Sequence, residues 1–196
     1  MRRRQFIAGS SAILATGGLA LTGCTTTSLS ARDGTSEDTA KRATINTGID
    51  STLARLYNSV NGSRELIGKA RGVLVFPSVI AAGFWIGGQY GEGALRVDGR
   101  TTSYYTTVGG SFGLQIGAQS KAIIFAFMNQ EALDRFLQSQ GWAAGADATV
   151  AVVKVGANGN IDTSTAASPV EAFVLTNAGL MAGISLEGTK ISRLVI

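Results

Sequence analysis

Between Ile45 and Val60 the apolar side chains return every three or four residues, at Ile45, Ile49, Leu53, Leu56 and Val60. That spacing matches the period of an α-helix with one buried stripe, so the segment predicts an amphipathic helix. Asn61-Gly62-Ser63 interrupts it. Ser63 is placed to N-cap a short second helix over Arg64 to Ala70, which Gly72 ends. Beyond Gly72 the period falls to that of strands. "GVLVFPSV", Gly72 to Val79, is a continuous apolar run, and Pro77 restricts it to a sheet edge or a strand end. Asp98-Gly99 sits between alternating segments and marks a two-residue hairpin turn. Helical spacing returns from Asn129 to Gly141, with Leu133, Phe136 and Leu137 on one side and Gly141 as its stop. "ADATVAVVKVGANGNI" predicts another strand with a turn at Asn158-Gly159, and the segment from Val170 to Ile196 predicts two or three more.

Ten glycines fall between Gly83 and Gly117, too many for a helix interior. In strands, glycine marks bulges, sharp coiling or close approach of one backbone to another. A phosphate-cradling loop fails on context, because no Gly-Lys-Ser/Thr ending is present and no βαβ unit follows. The predicted class is α+β: N-terminal amphipathic helices, then a glycine-rich, strongly coiled antiparallel β-sheet or half-barrel with one inserted helix.

The N-terminus changes the picture. "MRRRQFIAGSSAILATGGLALTGC" runs from three arginines through an apolar stretch to small residues and the single Cys24. That order is the order of an export signal, and the apolar stretch is short for a membrane span. Leu21-Thr22-Gly23-Cys24 resembles a bacterial lipobox. The resemblance implies that residues 1–23 are a lipoprotein signal peptide and that Cys24, S-acylated, becomes the mature N-terminus. Arg3 to Ile7 also resembles a twin-arginine export motif, so the Sec and twin-arginine routes both stay open. Residues 24–37, rich in Thr and Ser, predict a flexible tether, and 38–196 a folded domain. Thr25 follows the Cys where Asp would hold a lipoprotein back, so the expected location is the periplasmic face of the outer membrane.

The 17 Lys and Arg against 13 Asp and Glu give a net charge of +4. Loss of Arg2, Arg3 and Arg4 with the signal leaves 14 against 13, a net of +1. Nucleic acid is therefore not an expected partner. Positive charge is instead local. Lys41, Arg42, Arg55, Arg64, Lys69 and Arg71 face only Asp50 and Glu65 between positions 41 and 71. Two readings of these cations stay open: a solvated polar face on a docked helix, or a basic face that meets lipid phosphates.

The chain contains no His, and its one Cys is committed to acylation, so Ser-His and Cys-His nucleophiles are absent. Metal and cofactor are not expected either. Glu92, Asp147 and Glu187 remain as carboxylates, and Glu92 and Glu187 flank glycines where a carboxylate satisfies backbone donors at a turn. Trp85, Tyr90, Tyr104, Tyr105 and Phe112 read as core or sheet-face residues. No enzyme is expected.

Four segments carry a family resemblance: "KARGVLVFPSVIAAGFWIGGQYGEGAL" (69–95), "GGSFGLQIGAQS" (109–120), "GADATVA" (145–151) and "GLMAGISLEGTKI" (179–191). Together, in order and spacing, they resemble the SYLF domain. The resemblance implies a membrane-adaptor module whose eukaryotic members bind phosphoinositides and other acidic phospholipids, and whose fungal members also bind actin filaments. It assigns lipid binding to an N-terminal amphipathic helix and to basic residues near Lys69-Ala70-Arg71-Gly72. An exported lipoprotein without fused signalling domains departs from those members, which puts the actin part in doubt. The expected partners are membrane phospholipids and, in the alternative, another envelope protein docked on a scaffold or an apolar ligand carried inside the coiled sheet.

Overall fold

The computed structural model describes residues 34–154, 160–161, 168–181 and 185–196, with side chains at 83–86 and 111–118 excepted. Cys24, the signal peptide and most of the tether lie outside these residues, as does the turn expected at Asn158-Gly159.

Helix α1 spans Gly34–Ser59 and α2 spans Ser63–Lys69. Residues 34–37, read from sequence as tether, are thus the first turn of α1. Ile45, Ile49, Leu56 and Val60 are buried as their spacing predicts, and Leu53 packs at the margin. The break between the helices is made by Gly62, whose φ of 84° is left-handed and suits a residue without a β-carbon. Ser63 does not cap α2. Its hydroxyl donates backwards to the carbonyls of Val60, at 2.7 Å, and Leu56, so it satisfies the end of α1.

Two very long strands follow, β1 (Gly72–Val97) and β2 (Arg100–Phe127). They pair antiparallel over their whole length around Asp98-Gly99. Asp98 (φ 49°) and Gly99 (φ 75°) are both left-handed, the conformation a two-residue turn needs to match strand twist. Laid out flat, 26 residues at ~3.3 Å each would reach roughly 85 Å. The ribbon curls instead, because a flat hairpin leaves both faces in water. Pro77 lies in a register shift between Phe76 and Val79, on the strand whose only ladder partner among the described residues is β2. The edge position inferred from Pro77 is therefore found.

Helix α3 (Gln130–Gln138) follows β2. Asn129 caps it, accepting from the Ala132 N–H at 2.8 Å. Leu133 and Phe136 are buried, while Leu137 is 44 % exposed and leaves the predicted stripe. The remaining strands are β3 (Trp142–Ala143), β4 (Val150–Val152), β5 (Val170–Thr176), β6 (Gly179–Leu180) and β7 (Lys190–Leu194). The main path runs β3-β7-β2-β5-β4. Between the named strands every pairing is antiparallel except β4 with β5, which is parallel, so the sheet is mixed. The class is α+β, a strongly curled half-barrel with helices before it and one inserted.

At the base of the sheet both faces are covered, which explains the unbroken apolar runs there. Along β2, Ile123, Phe125 and Phe127 face the inside of the curl, and Ala122, Ile124 and Ala126 face α1 and α2. The inside is filled by rings: Trp142 meets Phe125, Phe127 and Phe136 edge-on at 5.7 to 6.2 Å between centroids. Such contacts add to area burial.

Candidate functional site

Helix α1 is held against the hairpin by its polar side as well as by its apolar stripe. Asn46 donates to the Tyr104 hydroxyl at 3.0 Å and accepts from Thr101 at 2.7 Å. Asp50 pairs with Arg96 at 2.6 Å, and Arg96 also donates to the Asn46 carbonyl. The six basic residues singled out in the sequence meet different surroundings.

Lys41 reaches the sheet, where its ammonium lies 2.7 Å from Glu92 Oε1. The Tyr90 hydroxyl donates to the same oxygen at 2.7 Å. Partial burial alone would raise the Glu92 carboxyl, but the bonds from Lys41 and Tyr90 outweigh it and hold the group below the usual carboxylate range. Arg42 donates to the Ile196 carbonyl. Arg55 is exposed beside Thr52, Pro77 and Ser78. The second group gathers around α2. The Arg64 guanidinium stacks 4.3 Å above the Tyr57 ring, and Lys69 pairs with Glu65 at 2.6 Å one turn away. Arg71 stands exposed at the junction with β1, where its backbone N–H bonds to Phe127. The chain thus separates the six into Lys41 and Arg42, tied into the domain, and Arg64, Lys69 and Arg71 clustered along eight residues, with Arg55 apart.

The carboxylates are placed differently from their sequence reading. Glu92 is in mid-strand with side-chain partners rather than at a turn. Asp147 does serve a backbone donor, accepting from the Ala143 N–H at 2.6 Å. Glu187 sits at a turn beside Gly188 (φ 77°). Among the described residues no three His, Cys, Asp or Glu side chains converge as metal ligands. Of the aromatics, Tyr105 is buried and Tyr90 is half exposed on the sheet surface; the side chains of Trp85 and Phe112 lie outside the described residues.

One group has no counterpart in the sequence reading. Glu171, on β5, is fully buried, and neither carboxylate oxygen has a hydrogen-bond partner among the described residues. Burial pushes its carboxyl above the ordinary range. The available signal was one acid inside the apolar run Val170 to Leu175.

No helix among the described residues is long and apolar enough to cross a membrane. Residues 108–194 match the family model "Ysc84: Las17-binding protein actin regulator". The SH3 domain-containing YSC84-like protein 1 of Xenopus laevis is 31% identical over 132 residues, which is 65% of this chain and 39% of that protein. The proteins of the same name from Rattus norvegicus and Mus musculus are 31% identical over 130 residues, 64% of this chain and 38% of theirs. The chain therefore spans about two fifths of the length of these curated relatives. Three of the four motifs, 109–120, 145–151 and 179–191, lie inside the match: residues 108–194 of this chain carry a Ysc84 (SYLF) domain match, and the chain is similar to the YSC84-like proteins.

Proposed function

We propose that this domain is a non-enzymatic binding module that contacts anionic phospholipid head groups through Arg64, Lys69 and Arg71, on a chain anchored to the envelope by acylated Cys24. The observation that carries the reading is the exposure of this trio. Arg64 and Arg71 have no acidic partner among the described residues, and the Lys69 side chain is 67% exposed in its pair with Glu65. An exposed pair of that kind holds its cation weakly, whereas a basic residue at an anionic surface gains about 1 kcal/mol. Lipid phosphate therefore displaces Glu65 readily. Lys41 is the contrast, since it is tied to Glu92 on the sheet and its side chain is only 36% exposed.

Two acyl chains already hold a lipoprotein on its membrane, so the basic trio serves to choose head groups or to touch a second membrane. Rings fill the curl around Trp142, which supports surface binding over the carrier alternative.

The test uses purified chain with Cys24→Ser, which removes the anchor, and vesicles with and without anionic phospholipid. Binding is expected only to anionic vesicles and should fall as salt shortens the screening length. Lys69→Ala with Arg71→Ala should weaken it by about 1 to 2 kcal/mol. Arg100→Ala, exposed at the far hairpin end, is the control. Lys121 is unsuited to that role: it lies within β2 opposite Val79, and burial lowers its pKa. Equal binding to neutral vesicles, or an unaffected double variant, rejects the reading. Intact-mass analysis of the exported protein tests the anchor separately.

A further inference from the structure

Strand β5 lies between β2 and β4 with both faces buried. Val170, Ala172 and Val174 point into the curl, and Phe173 and Leu175 point toward α1 and α2. By alternation Glu171 belongs to the second face. It lines a cavity of about 350 Å³ under α2. Leu66, Met128 and Ile161 supply its apolar wall, and Asn61, Glu65 and Lys69 stand around it.

The charges in this cavity do not balance. Glu65 and Lys69 neutralise each other at 2.6 Å. That leaves the Glu171 carboxyl, 0% exposed and with both oxygens unpartnered. Buried polar groups in folded proteins are nearly always hydrogen-bonded, and a buried carboxylate without a partner is costly. A ligand that brings N–H donors and one positive charge satisfies both oxygens at once. A metal ion needs several converging oxygen donors, and no third acid approaches among the described residues. The apolar wall beside the acid suits a short hydrocarbon chain. We propose that the cavity under α2 binds a primary alkylammonium group, its nitrogen donating to Glu171 and its chain lying along Leu66, Met128 and Ile161. Lys69 is common to this cavity and the exposed trio, but Glu171 and the apolar wall are not, so binding that depends on Glu171 is tested apart from vesicle binding.

The experiment titrates n-butylammonium chloride, and in parallel 1-butanol, into the full chain at neutral pH. Backbone amide shifts of a ¹⁵N-labelled sample report the site. Butylammonium is expected to shift the amides of Glu171 and its pairing partners Ala126 and Ala151, with a Kd on the order of 1 mM. Butanol, of similar size but uncharged, should bind at least about tenfold more weakly. Glu171→Gln should abolish the preference for the ammonium while leaving the spectrum that of a folded protein. The comparison of the two probes on the unmodified chain decides the matter even if that variant misfolds. Equal affinity for both probes, no shift with butylammonium, shifts confined to the surface acids, or an unchanged preference in Glu171→Gln each overturns the proposal.

Discussion

Gly93 lies directly on the carbonyl of Val75, because the end of β1 folds back over its own beginning. A β-carbon at Gly93 would overlap that oxygen and stand 2.7 Å from the Phe76 ring. Two residues earlier, a β-carbon on Gly91 would come within 2.9 Å of the Ser78 carbonyl. At these two positions only hydrogen fits between the two ends of β1.

Gly93→Ala is therefore expected to destabilise the domain by about 3 kcal/mol or more, since the obstacle is backbone and cannot rotate away. Gly88→Ala is the comparison: nothing lies within 4 Å of its β-carbon, and its effect should stay within about 0.5 kcal/mol. Urea unfolding of the two variants checks the pair. Similar midpoints would contradict the close approach.

Glu171 makes stability depend on pH in an unusual direction. Its folded pKa is raised above the ordinary 4.5, so the native state binds more protons than the unfolded one as pH climbs from there to the folded value. Stability from this group is thus full below about pH 4.5 and is lost as pH rises through the folded pKa. Glu65 and Lys69, which line the same cavity, are common to both proteins in the comparison. Glu171→Gln should be more stable than the parent at pH 7 by about 1 kcal/mol or more, and the advantage should vanish toward pH 4. A difference between the two denaturation midpoints that does not change with pH would rule this out.

Tyr90 donates to Glu92, which, with some burial, pushes its phenol up to about 12. Replacing Glu92 by Gln removes the charge that holds the proton. Phenolate absorbance should then show one tyrosine moving back toward about 10. The change should be absent in Lys41→Met, where Glu92 keeps its charge. Tyr57 and Tyr105, also raised chiefly by burial, should titrate as before.

The cap of α3 gives a fourth outcome. Asn129→Ala strands the Ala132 N–H and should cost about 1 kcal/mol. Asn129→Asp should retain most of the stability, because a carboxylate accepts the same bond and favours the helix N-terminus. Loss of equal size in both variants would show that the side-chain bond is not what matters.

The local elements were legible in the chain because their causes are local. Ile45 to Val60 names a helix by its period, Asp98-Gly99 names a turn by the backbone angles it tolerates, and Pro77 names an edge by the donor it lacks. The motifs also carried the resemblance to the family whose model matches residues 108–194. What the residues could not convey was which distant groups meet. Lys41 and Lys69 look alike in a row of basic residues, yet one is drawn to Glu92 on the sheet and the other stays at the surface. That difference depends on where α1 docks, a product of packing between segments some fifty residues apart. The same holds for Ser63, which faces backwards to α1, and for the parallel pairing of β4 with β5. Glu171 is the clearest case. Alternation places it on a face of a strand, but only the packing of the folded chain buries it and leaves both its oxygens without a partner among the described residues.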